Sequence, residues 1–585
     1  MGNCYFSCPF MQRHYYIFLL LLSIISYSQN LEKVGKKDMV KVNGGLNYSS
    51  VFYNADGIPS RRQPFTWFLN GNLNVSILDV SLPFTFNYSN NQVAYTQPFN
   101  IQSFNPTYKW IKGYAGITSM QFSQYTLAGH VFAGGGIELT PKNFKFAAMY
   151  GRLKKAVEFD SENNSDANMS YKRMGYGAMA GYDKNGHGIK LIYFSAKDDP
   201  TSLTFIPVNT NVTPMENTVV SIGGHTTFYK KIKLEAEYAL SGLTRNVTSP
   251  SDLNTPPKNQ LPGIFKPNAT SQFFGAFKSS IGYNVKTFGV NLNYERVDPE
   301  YKTLGAYYFN NDIENITLAP TLGLLKGKLN LSLNTGVQRN NLDNSKLATT
   351  KRWVGSFNIN FIPNKSWNIM ASYSNFSTFT KQRPQTDPFY RNALDTLNFY
   401  QLSQNSMLSM GYNFGKTRTK QNILFTGTYM VTGQNQGAIT DPGLFGTTNN
   451  IKLPSRIVNG NLSHNTSFVK TKTSLAIGVN MNYTQLIGMD NFYFGPSINI
   501  GQAFAKNQAR VSIGTSYNQM LTNSIKTNEV FNHRLTLSYN PKFKNQKYGR
   551  VGFNLSVIYL QKKKVVSTAI GFNEFTGNVG LNYSF

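Results

Sequence analysis

An all-β chain, closed into a single large antiparallel transmembrane β-barrel of about 26 strands (roughly 24–26), is what this sequence predicts. Three observations carry the prediction. Apolar and polar residues alternate: Val579, Leu581, Tyr583 and Phe585 interleave with Asn578, Gly580, Asn582 and Ser584. That period of two belongs to a strand with different surroundings on its two faces. Connections between such stretches alternate between short turns and long polar loops. Composition is the third: 15% charged residues but 14% aromatics, with 35 Tyr and 43 Phe. A soluble chain rarely combines so few charges with so many rings, whereas a barrel wall faces lipid on alternate residues and carries aromatics at its rims.

In chain order, Arg13 precedes an apolar run over 15–25, followed by Ser26-Tyr27-Ser28-Gln29. A basic start, a short apolar core and small residues make residues 1–28 a secretory signal peptide, with Met11 an alternative start. The run is too short to span a membrane as a helix. Residues 29–39 form a short periplasmic segment, and 40–585 form the barrel. Cys4 and Cys8 both precede the apolar run, so a processed chain carries no disulfide or thiolate metal site.

The first strand is expected over 40–53, followed by a pair over 65–78 and 80–88 with Asp79 at their turn. Further strands are expected over 114–122, 129–139 and 144–153, with 104–110 and 565–572 ambiguous. The alternation recurs in Leu329, Leu331, Leu333 and Val337 against Asn330, Ser332, Asn334 and Gln338, and again in Val551, Phe553, Leu555, Val557 and Tyr559. Short connections carry turn formers such as Pro141-Lys142-Asn143, Asp183-Lys184-Asn185-Gly186, Lys326-Gly327-Lys328 and Lys506-Asn507. Long connections fall at 159–171, 196–217, 244–270, 379–399 and 432–457. Short turns on one rim and long loops on the other describe a membrane barrel with periplasmic turns and extracellular loops. An even strand number lets the terminal strands pair, which removes sheet edges that lipid would not tolerate.

Aromatics near strand ends, Tyr48, Tyr53, Trp67, Trp110, Trp353, Trp367, Tyr400 and Tyr429, read as an interfacial belt. The net charge of +29 favours anionic partners such as lipopolysaccharide. Its dispersal along the chain argues against nucleic acid. Glu295, Asp298, Glu300, Asp312 and Glu314 form the densest acidic stretch and a weak Ca²⁺ candidate without regular ligand spacing. Asp160, Glu162 and Asp166 form a weaker one. The histidines His130, His187, His225, His464 and His533 fall in no H-E-x-x-H pattern, and no G-x-S-x-G elbow is present. Neither a catalytic residue nor a cofactor is expected.

The signal ending Ser26-Tyr27-Ser28-Gln29, the abundance of Asn, Tyr and Phe, and the terminal Asn582-Tyr583-Ser584-Phe585 resemble outer-membrane β-barrels of the Bacteroidota. That resemblance implies an outer-membrane location, and a barrel-assembly machinery that reads the closing strand at Phe585. The strands begin too soon for the plug domain of an energised receptor. The sequence therefore predicts a passive or gated channel for solutes or polymers, with a weak anion preference and selectivity set by lumen-facing Lys and Arg and by inward loops at 196–217 and 244–270. The competing reading is a non-conducting scaffold of a secretion or surface-assembly complex, with a plug or partner protein in the lumen.

Overall fold

The structure, a computed structural model, describes residues 40–90, 102–159, 169–207, 210, 212–250, 258–345, 351–375, 377–379, 400–433, 455–486, 488–542, 549–566 and 570–585. The expected signal peptide over 1–28, the expected periplasmic segment over 29–39 and the acidic patch Asp160, Glu162 and Asp166 lie outside them.

The described residues hold 28 strand segments in one sheet. Gln102–Phe104 with Thr107–Tyr108, and Trp367–Ser374 with Ser377–Phe379, each make one broken wall strand, so the wall has 26. Every pairing joins strands antiparallel and nearest in sequence, apart from the one that closes the ring. There Gly45–Asp56 lies along Asn573–Ser584. Gly44 and Phe585 exchange two backbone hydrogen bonds of 3.0 Å at the end of that seam. A circular wall of this strand number, with strands about 4.8 Å apart and tilted about 40°, would measure roughly 50 Å across.

Register and exposure assign the faces. Val40, Val42, Leu46 and Phe52 of the first strand point outward, as do Phe575, Val579 and Leu581 of the last. The outward set in Leu329–Arg339 is Leu329, Leu331, Leu333 and Val337. The expected alternation holds there because lipid lies on one side of the wall and water on the other. Tyr53 departs from the expected belt: it points into the lumen and donates to Glu574 Oε1 at 2.5 Å. The strand is longer than expected, Val40–Asp56, and one step of the pleat turns Tyr53 to the face opposite Phe52. The side chain of Tyr400 lies outside the described residues.

The rim carrying the chain ends has the expected short turns. Asn185 and Gly186 take φ of 55° and 85°, the pair of left-handed residues that a tight two-residue hairpin needs. The expected strict alternation of connection length fails in three places. Leu486 to Met489 and Thr522 to Ile525 are tight turns on the loop rim, the latter with Asn523 and Ser524 at φ 48° and 65°. Tyr539 to Arg550 is the long connection on the turn rim. Of the two ambiguous segments, 104–110 covers the end of the broken wall strand, to Tyr108, and the turn at Lys109-Trp110. Over 565–572, only Phe572 of the described residues is in a strand. No helix among the described residues is long and apolar enough to cross a membrane, which says nothing of a barrel.

Candidate functional site

Lumen-facing side chains differ sharply around the wall. Toward the loop rim, from Ile111 to Thr244, many inward positions are small or apolar: Phe132, Ala147, Met149, Met179, Ile192, Phe194, Val219 and Ala239; toward the turn rim the same face carries charges such as Lys112, Glu138, Lys145, Lys190 and Lys233. Apolar residues facing a water-filled lumen would be costly, yet Phe132, Phe194 and Val219 are each 0% exposed. Two connections from the loop rim cover them, a short one over 122–127 and a longer strap over 298–312.

Phe122 and Leu127 from the short loop, and Leu304 from the strap, join Met120, Phe132, Met149, Leu153, Met179, Ile192 and Phe194 in one apolar cluster. Tyr125 and Tyr301 join Val219, Ala239, Ala276 and Val297 in a second. The two loops are also stitched to each other. Tyr301 Oη donates to Tyr125 O at 2.8 Å, and Thr303 Oγ1 to Thr126 O at 2.7 Å. Ala128 N donates to Gly305 O at 2.9 Å.

Wall groups satisfy the strap's remaining polar atoms. Asn217 donates to Lys302 O at 3.3 Å and accepts from Leu304 N at 3.0 Å, while Ser241 Oγ donates to Lys302 O at 2.7 Å. Tyr307 stacks on His130 with ring centres 4.0 Å apart and accepts from Val131 N at 2.9 Å. Burying Tyr301 and Leu304 stabilises docking by about 2–3 kcal/mol each before ordering costs.

A charge network lies beneath. Tyr125 Oη donates to Glu295 Oε1 at 2.8 Å, and Lys278 sits 5.4 Å from the Tyr125 ring centre. Glu237, 2% exposed, takes Lys190 at 2.9 Å and Lys278 at 3.6 Å and accepts from Ser221 Oγ at 3.0 Å. Nearby, Arg173 grips Asp198 through two bonds of 2.7 and 2.8 Å. These paired charges fix the wall face on which the loops sit. On the loops themselves, burial pushes the hydroxyls of Tyr125, Tyr301 and Tyr307 up, with Glu295 adding to the shift at Tyr125. Burial lowers Lys302, and the charges of Arg173 and Arg245 lower it further.

The five candidate Ca²⁺ carboxylates do not converge. Register places Glu295 in the lumen opposite Asn315, and Glu314 on the outer face opposite Arg296. Glu314 contacts Arg339 and accepts from Tyr294 at 2.8 Å. Glu300 pairs with Arg245, Asp298 accepts from Gly275 N at 2.7 Å, and Asp312 accepts from Leu342 N at 2.8 Å. Among the described residues no group of His, Cys, Asp or Glu is arranged to hold a metal. The histidines are apart as well: His225 pairs with Asp183 at 2.9 Å, His464 meets Gln421 at 3.1 Å and His533 meets Thr515 at 3.0 Å. His187 meets Thr226 at 2.5 Å, and His130 Nδ1 donates to Val131 O at 2.7 Å.

Of the loops expected to turn inward, 196–217 contributes Met215, which packs against the first apolar cluster, while among the described residues most of the cover comes from 122–127 and 298–312. Among their described residues, 196–217 and 244–270 meet through Val247 N, which donates to Pro214 O at 2.9 Å. Phe265 packs against Gly242 and Phe273 at outward-facing register positions. The strap has no apolar periodicity of its own. The available signal was in the wall, where Ala147-Ala148-Met149 and Ile192-Tyr193-Phe194 lose the polar face a wet lumen requires.

No protein-family model matches the chain, and no curated protein matches it. Among solved structures it is similar to the FrpB iron transporter of Neisseria meningitidis, at 9% identity, covering 95% of this chain and 82% of that one, with a TM-score of 0.36. It is similar to the P pilus usher PapC translocation pore at 8% identity, 92% and 98% coverage and a TM-score of 0.35. OccAB4 of Acinetobacter baumannii follows at 9% identity, 72% and 100% coverage and a TM-score of 0.28. Such overlap is partial, and the closed barrel stands on its own strand register.

Proposed function

We propose that the chain is a bacterial outer-membrane channel, porin-like in passing polar solutes or chains, whose bore is narrowed by its own strap and short loop. One contrast carries the reading. On the loop-rim side the lumen wall from Ile111 to Thr244 is dry and covered, while across the rest of the ring lumen-facing residues such as Asn47, Asn72, Asn330 and Asn459 are exposed to solvent. In the proposed orientation the turn rim is periplasmic and the strap enters from the cell exterior. A weak anion preference follows from Lys420, Arg510, Arg534 and Lys562, which face the uncovered lumen with Glu574 as their acidic counterpart. The signal peptide and the Bacteroidota-type closing strand ending in Phe585 fit export and insertion by barrel-assembly machinery.

Outer-membrane lipid is the proposed surround. Outward register puts Arg296 two residues beyond Tyr294, Arg339 two beyond Val337 and Lys351 two beyond Trp353, on the loop-rim side. These cations stand just past the apolar band, at the depth of lipopolysaccharide phosphates.

The test is single-channel recording of the refolded protein in a planar bilayer at two salt concentrations. Stable steps that scale with salt and reverse toward the anion potential support the channel. A silent, folded barrel contradicts it and favours the scaffold.

A further inference from the structure

Asparagine is distributed in this barrel with unusual strictness. Among the described strands, every asparagine except Asn54 and Asn573 occupies a lumen-facing register position. Asparagine is a poor strand former, so its repeated placement on one face needs a cause beyond folding. The wall beneath the strap and short loop excludes it: from Ile111 to Thr244 the strands contain Asn217 alone, and Asn217 is committed to the strap. Register then draws the remainder into rows. Asn87, Asn70, Asn47 and Asn582 lie side by side on four successive strands across the closing seam. Asn413, Asn422 and Asn465 make another row, and Asn330 lies beside Asn360.

An amide side chain both donates and accepts hydrogen bonds and carries no charge. A hydroxyl does the same. Rows of amides present many equivalent, weak sites, which let a solute bind without being held. Cationic solutes would find few countercharges on this face, and apolar ones little continuous dry surface.

We infer that the uncovered, asparagine-lined half of the lumen is a binding track for uncharged polyhydroxylated chains, that is, linear oligosaccharides. This deepens the channel reading and rests on it. A polypeptide is the less favoured occupant, because its basic and apolar side chains have little to meet along these rows.

The test uses the refolded full barrel in planar bilayers. A linear, uncharged glucose oligosaccharide is added on either side. Polyethylene glycol of the same hydrodynamic size serves as control, since its ether oxygens accept but its chain does not donate. The expected result is reversible current block by the saccharide, with dwell times about tenfold longer than for the control, as two or three extra net hydrogen bonds would give. Asn47→Leu with Asn70→Leu should shorten saccharide dwell relative to polyethylene glycol dwell measured in the same variant barrel. Asn330→Ala with Asn360→Ala repeats the measurement at a site away from the seam. A barrel that conducts while saccharide and control dwell equally, or in which neither pair of substitutions alters dwell, overturns the track but leaves the channel standing. Block by an acidic or basic peptide, but not by saccharide, overturns it in favour of a polypeptide path. A barrel that conducts no ions overturns the channel reading and the track together.

Discussion

A Cβ built on Gly305 would lie 2.6 Å from the Thr126 carbonyl oxygen and 2.8 Å from the Phe194 ring. Backbone cannot retreat there, because Gly305 O also accepts from Ala128 N. Gly305→Ala is therefore expected to undock the strap without deleting a contact, seen as wider single-channel steps at unchanged wall stability. Leu304→Ala should weaken docking by about 2–5 kcal/mol through the cavity it leaves in the first apolar cluster. Lys302 adds a pH dependence. Its ammonium is disfavoured when docked, so the undocked strap binds more protons and docking strengthens as pH rises. That gain accrues below the ordinary lysine value of about 10.4 and is lost at low pH. Tyr125, Tyr301 and Tyr307, raised in the docked state, reverse the trend above about pH 10. Conductance should fall from neutral pH toward that point, and Lys302→Met should flatten the slope.

At the scale of elements, the strap and short loop act as one unit although 176 and 177 residues separate their bonded partners. Replacing 298–312 with a tight two-residue turn, as the neighbouring rim already uses at Asn523-Ser524, should leave the hairpin paired. It would also expose Phe132, Phe194 and Val219 to water. Stronger binding of an apolar dye and faster proteolysis of 122–127 would report that exposure. The strands themselves were readable because each separates two solvents, and Leu329–Arg339 keeps period two from end to end. The strap was not readable. Tyr301-Lys302-Thr303-Leu304-Gly305 looks like any polar loop, and what holds it is wall chemistry distant in sequence. The acidic stretch is dispersed for a related reason: Glu295 and Glu314, close together on paired strands, lie on opposite faces of the pleat.

For the whole molecule, closure concentrates at one seam. Gly44 and Phe585 bond through both backbone groups, and a side chain on Gly44 would collide with the Asn72 carbonyl oxygen. Gly44→Val should lower the yield of closed barrel, measured as the heat-modifiable band on a gel, more than the same change at Gly460, where a Cβ meets nothing within 4 Å. Strand number, closure and the two faces were all legible from alternation and turn chemistry. The division of the lumen into a dry half and an amide-lined half was legible only in part. Asparagines at every second position mark the wet wall in the sequence, but what covers the dry wall emerges only once the ring is closed.

The central claim is that a conducting barrel is narrowed by its own strap and short loop. Single-channel conductance of the full barrel beside the strap-replaced variant, in the same bilayer and salt, tests it most directly. The account predicts stable steps from both, with clearly larger ones from the variant. Equal conductance from the two, or none from either, would contradict it.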